Sequence, residues 1–151
     1  MDFLCAVLRG EEPEWPAASS EAFWARFLEQ SAYHGVDTLV WHKLKDGNAR
    51  ERLPNRVRAQ LAAGTARAVA TELVRANDIR SLHRVLSQAG ISALLMKGAA
   101  LAYSHYPVPH LRSRVDTDIF IAPKDIRTIR EVFSAAGYRL EGWTYKSHQF
   151  K

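Results

Sequence analysis

The sequence predicts an α+β fold: an N-terminal helical region followed by a small mixed sheet with helices on it. Three observations carry this. Through residues 1–89 apolar side chains recur three to four positions apart, the spacing of helices packed on one face. After Gly90 the period changes, and short apolar runs alternate with helical stretches. The composition is 47% hydrophobic and 25% charged over 151 residues, which fits one globular domain and excludes a disordered or collagen-like chain.

The elements follow in order. Phe3 to Leu8 reads as a first helix; it is short for an export signal, and Asp2 precedes it where such a signal carries positive charge. Residues 20–34 form an amphipathic helix, with Ser20 as cap, Glu21 at the positive end of the dipole and Gly35 as the stop. Phe23, Trp24, Phe27 and Leu28 make its core face. A shorter helix covers Thr38 to Asp46, with Leu39, Val40 and Leu44 inward and Gly47-Asn48 ending it.

Pro54 suits a first helical turn, and no proline follows before Ala89. Val57, Leu61, Val69, Leu73, Ile79, Leu82, Val85 and Leu86 supply the apolar positions of one long helix, or of two with a break near Gly64; Gly90 caps it. Ile91 to Met96 is a buried strand, and the Lys97-Gly98 turn leads into a short helix, Ala99 to His105. Two prolines make residues 106–109 a loop. Residues 114–121 are a second strand, and a helix runs from Pro123 to Ala136 with Ile126, Ile129, Val132 and Phe133 inward. Residues 138–143 and 145–150 are a third and a fourth strand. The helical region thus spans 1–89 and the α/β core 90–151, within one domain. The last residues read as a strand without a partner, so the sequence is expected to be truncated at the C-terminus, part of a longer protein.

Charge is uneven. Residues 1–46 hold four basic and eight acidic side chains, net −4; residues 50–84 hold eight arginines and three acids, net +5; residues 85–151 hold nine basic and five acidic side chains, net +4. A basic middle attracts nucleic acid or nucleotide phosphates, but these arginines spread through a helical pattern without interleaved aromatics, as on a solvated helix face. The lone Cys5 has no internal disulfide partner, as expected of a cytoplasmic protein. No apolar run approaches the roughly 20 residues of a membrane-spanning helix, and the six histidines show no zinc-ligand spacing.

The chemistry concentrates in Arg112-Ser-Arg114-Val-Asp116-Thr-Asp118-Ile-Phe-Ile121. On a strand, residues two apart face the same side, so Asp116 and Asp118 project together while Val115, Thr117, Ile119 and Ile121 face the other way. Aspartate is disfavoured in strands, and paired carboxylates repel unless a cation lies between them. Hard oxygen ligands of this kind suit Mg²⁺ or Mn²⁺. A solvent-facing strand with two surface aspartates is the plainer alternative. About twenty residues earlier, Lys97-Gly98 stands between a strand and a helix start, where free N–H groups and the dipole favour anions. Arg112 and Arg114 are placed to hold phosphate or pair with the acids, Arg112 by sharing the parity of Asp116.

The stretch Leu94 to Tyr103, then Tyr106-Pro107, Arg112 and Asp116-Thr-Asp118-Ile119, resembles the uncharacterised bacterial nucleotidyltransferase-like family of the DNA polymerase β superfamily. The close match covers about residues 91–122. The resemblance implies a nucleotidyltransferase-like fold and metal-dependent transfer of a nucleoside monophosphate from an NTP. It implies Asp116 and Asp118 as catalytic metal ligands and Gly98, with Lys97, as the phosphate grip; the backbone N–H groups at Gly98 and Ala99 are then expected to hold the outer phosphates, with Arg112 and Arg114 as further phosphate contacts. Lys97-Gly98 departs from the Gly-Ser of the wider superfamily. The family's third carboxylate lies on a later strand, and Glu141 comes too early to match it. The chain alone is therefore expected to be inactive. The acceptor is a protein, an RNA or a small molecule. The rival readings are a non-catalytic nucleotide-binding or protein-interaction module, and a basic helical RNA-binding protein working through residues 50–84.

Overall fold

The computed structural model describes residues 2–17, 20–46, 48–144 and 147–150. Five helices come first: α1 (Asp2–Arg9), α2 (Glu21–Tyr33), α3 (Asp37–Lys43), α4 (Ala49–Arg52) and α5 (Asn55–Gln88). Strand β1 (Ala93–Leu95), helix α6 (Lys97–Ser104) and a 3₁₀ turn at Pro109–Leu111 follow. Then come β2 (Ile119–Ile121), a 3₁₀ turn at Pro123–Asp125, α7 (Ile126–Ala135), β3 (Leu140–Thr144) and β4 (Ser147–Phe150). This is the expected α+β class. Among the described residues no helix is long and apolar enough to cross a membrane.

The predicted aromatic stripe of α2 is core. Phe3 of α1 is the hub, with the rings of Trp15, Phe23, Trp24 and Phe27 edge-on to it at centroid distances of 5.3 to 5.7 Å, an arrangement that adds to simple burial. Val40, Leu44, Leu53, Val57 and Leu61 complete this first cluster. Ser20 stands at the N-cap of α2, but its hydroxyl makes no capping bond.

Helix α5 is continuous, not broken at Gly64. The glycine lies where α3 approaches: a Cβ there would be 3.2 Å from Asp37 Oδ2. It serves packing between helices. Leu73, expected inward, is 67% exposed, and Val74 beside it is exposed too. The C-terminal end of α5 enters a second cluster, in which Leu86, Ile91, Ile129 and Phe133 are buried with Ala93, Ile119 and Ile121 against them.

β1 and β2 pair antiparallel, with Ala93 opposite Ile121, Leu94 opposite Phe120 and Leu95 opposite Ile119. Alternation sends Ala93, Ile119 and Ile121 to the second cluster and leaves Leu94 and Phe120 exposed. The expected mixed sheet is not what forms among the described residues. β3 pairs antiparallel with β4 as a separate hairpin, so two small antiparallel sheets replace one. The second strand is also shorter than the predicted 114–121. Residues 112–118 carry no ladder of their own beyond the Asp118 carbonyl, so Val115, expected to pack, is 92% exposed.

Candidate active site

Two backbone-adjacent links bring the Lys97 turn to the aspartates. The Met96 N–H donates to the Asp118 carbonyl at 2.9 Å, extending the β1–β2 pairing by one rung. The Lys97 ammonium donates to Asp118 Oδ1 at 3.0 Å. Residues 21 positions apart in the chain therefore meet at one point. The Lys97 side chain is 72% exposed and that of Asp118 32%, so water screens the pair. Its interest is positional.

Lys97 opens α6 with φ +47°, and among the described residues it is the one non-glycine in the left-handed region. Such a conformation costs roughly 1–3 kcal/mol and persists where surrounding contacts impose it. Here the neighbours are the strand end at Met96 and the Asp118 carboxylate. The first helical bond of α6 is made by the Ala100 N–H to the Met96 carbonyl, at 3.2 Å. The amides of Lys97, Gly98 and Ala99 precede it and have no intrahelical acceptor, the usual state of a first turn. Gly98 is half-buried, and Ala99 is buried.

Asp116 is exposed, and Asp118 is half-buried. Both act electrically on Lys97. The hydrogen bond that Lys97 donates to Asp118, then the charge of Asp118, hold the ammonium above the ordinary lysine value; desolvation opposes this, and the charge of Asp116 adds to the rise. A cation at this point thus sits in the field of both carboxylates. As donors, carboxylate oxygens suit Mg²⁺ or Mn²⁺, which take one or two carboxylates together with substrate phosphates. Among the described residues no three His, Cys, Asp or Glu side chains are grouped to hold a metal. The side chain of Glu141, in β3, lies outside the described residues.

The two arginines part company. Arg112 follows the 3₁₀ turn instead of lying on a strand, so it does not share a strand face with Asp116; its guanidinium donates to the Ser113 carbonyl at 3.1 Å. Arg114 turns inward. Its side chain is 2% exposed, with Nη2 donating to Glu72 Oε1 at 3.0 Å and Nη1 lying 2.9 Å from Glu72 Oε2. Only the Nη2 contact has hydrogen-bonding geometry; Nε and Nη1 find no acceptor so aligned. Tyr103 of α6 donates its phenol proton to the same Glu72 Oε1 at 2.8 Å, and the Arg114 guanidinium lies 5.5 Å from its ring. Arg114, which the sequence offers to phosphate or to the aspartates, has its charge taken up by Glu72 instead.

Glu72 went unnoticed in the sequence, although a signal existed. It falls three helical turns after Leu61 on the stripe that continues to Leu86, an acid in a row of core positions. Hollows of about 180 Å³ beside Phe3 and Phe23 and of about 370 Å³ beside His83 and Ser92 are lined by none of the site residues.

Comparison with curated proteins and with solved structures finds no match to this chain. A family model described as uncharacterised nucleotidyltransferase matches residues 20–151. That stretch covers most of the chain, both site motifs and the buried Glu72. The chain belongs to this family.

Proposed function

From membership of the uncharacterised nucleotidyltransferase family, we propose that Asp116, Asp118 and the Lys97-Gly98 turn form a site for a metal-bound nucleoside triphosphate. The chemistry is transfer of the nucleoside monophosphate to an acceptor hydroxyl, with pyrophosphate leaving. The observation that carries the reading is the 3.0 Å contact between Lys97 and Asp118, which joins a phosphate-type turn to a carboxylate pair. Asp116 and Asp118 would hold Mg²⁺ or Mn²⁺, which when bound neutralises triphosphate charge and lowers the pKa of a hydroxyl it touches.

The chain's own groups orient the substrate. The amides of Gly98 and Ala99 point out of the first turn of α6, where the dipole favours phosphate oxygens. Gly98 has no side chain to stand before an approaching phosphate; a Cβ there would make an ordinary contact with Arg114 Cβ, at 3.6 Å. Lys97 supplies a point charge that can pass from Asp118 to a phosphate when a cation takes its place. A third carboxylate, which a two-metal site normally includes, would come from outside this constellation.

The RNA-binding reading is the less favoured. Arg50 stacks 3.9 Å from the Trp41 ring centre and donates to the Trp41 carbonyl, and Arg52 lies 4.1 Å from the Trp15 ring and pairs with Glu12. Arg58 donates to Asn55 Oδ1. Those three arginines are engaged within the chain.

ATP labelled at the α-phosphate and ATP labelled at the γ-phosphate, run side by side, test the reaction class. Where a third carboxylate is supplied, the α-label should reach an acceptor with release of pyrophosphate, and Asp118→Ala should abolish this. The 151-residue chain alone should bind without transferring. Transfer of the γ-label, or α-labelling that survives Asp118→Ala, contradicts the proposal.

A further inference from the structure

We propose that Glu72 is a positioning residue for the aspartate pair, acting through Arg114; this rests on reading Asp116 and Asp118 as the cation-holding groups. Residues 112–118 have no strand ladder to fix them, so their course is set by point anchors. Leu111, 2% exposed, is the first, packed where α3, α5 and α6 meet the 3₁₀ turn. Ser113 is the second, so near Gly35 that a Cβ there would lie 3.2 Å from Ser113 Cβ. Arg114 on Glu72 is the third, and the Asp118 carbonyl on Met96 is the last. Between Arg114 and Asp118 lie only Val115, Asp116 and Thr117, and the exposed Val115 anchors nothing. Asp116 is held between two clamps, one of which is the Glu72–Arg114 pair.

Glu72 also reaches the other half of the site. Tyr103, which donates to it, lies on α6, the helix that begins at Lys97. One carboxylate on α5 therefore ties the segment before the aspartates to the helix carrying the phosphate turn. Burying a carboxylate and a guanidinium carries a desolvation cost that apolar side chains of similar size would avoid. Among the residues of α5, Glu72 alone is buried between Leu61 and Leu86. Holding the two halves at a fixed separation accounts for a charge at that position.

Glu72→Gln in the full chain is the test, because it keeps the volume and an acceptor oxygen while removing the charge. MnATP affinity is read by electron paramagnetic resonance, at a temperature where circular dichroism finds both proteins folded. Amide exchange is followed over 113–118. The affinity should fall about 10- to 100-fold, as for residues that support metal ligands, with faster exchange confined to that segment. Glu72→Asp should recover part of it. Should Glu72→Gln fail to fold, the double variant Glu72→Gln/Arg114→Gln leaves no buried unpaired charge and should show the same loss. Wild-type affinity in folded Glu72→Gln, or in the folded double variant, overturns the proposal. Asp116→Ala serves as the control. If it binds MnATP as the wild type does, the site reading itself fails. Exchange at 113–118 then decides the clamp alone, and unchanged exchange in Glu72→Gln overturns it.

Discussion

Tyr103 shows how much one hydroxyl can report. Its phenol donates to Glu72 at 2.8 Å. Burial, then the hydrogen bond to Glu72 and that carboxylate's charge, raise its pKa above the ordinary tyrosine value, with Arg114 opposing. A phenol with a raised folded pKa contributes stability that is fully present below the unfolded value near 10. That contribution is lost as pH rises through the folded pKa. Ultraviolet titration should therefore find a tyrosine ionising later than an exposed phenol, and Tyr103→Phe should remove that late step. A titration unchanged by Tyr103→Phe contradicts the contact with Glu72. At this scale legibility depended on adjacency. Lys97-Gly98 and Asp116-Thr-Asp118 are short motifs whose residue types carry their chemistry. Glu72 meets Arg114 across 42 positions, a pairing that no local pattern announces.

Among the elements, the tight turn between α2 and α3 constrains the site from behind. Gly35 has φ +63°, and a Cβ there would press on Ser113 Cβ at 3.2 Å. Gly35→Ala should cost about 1–2 kcal/mol for the left-handed backbone alone, measured by urea unfolding, with added displacement of residues 113–116. Unchanged stability would mean that the turn relaxes freely and does not brace the segment. The sequence marked Gly35 as a helix stop, but its contact with Ser113 depends on tertiary packing. Helix positions were legible because α2, α5 and α7 keep an apolar stripe over several turns. The second strand was overextended because Asp116 and Asp118 alternate as strand residues do, while point anchors, not a ladder, hold them. Gly64 suggested a break for lack of side chain, whereas its smallness admits α3.

Across the whole molecule, α5 is the spine. At about 1.5 Å per residue it runs from the aromatic cluster around Phe3 to the cluster beneath the β1–β2 ribbon, and Glu72 lies between them. The proposed site lies where that spine, α6 and the segment before β2 meet. The α+β class was readable from the change of period after Gly90. The division into two small sheets was not, since a strand's sequence does not name its partner. The central claim is that Asp116, Asp118 and the Lys97 turn form one site for a metal-bound triphosphate. Calorimetry of MgATP binding to the wild type and to Asp116→Ala tests it most directly, with ATP lacking Mg²⁺ as the reference. Weak, Mg²⁺-dependent binding to the wild type that Asp116→Ala abolishes is the predicted result, and equal binding by the two proteins would contradict it.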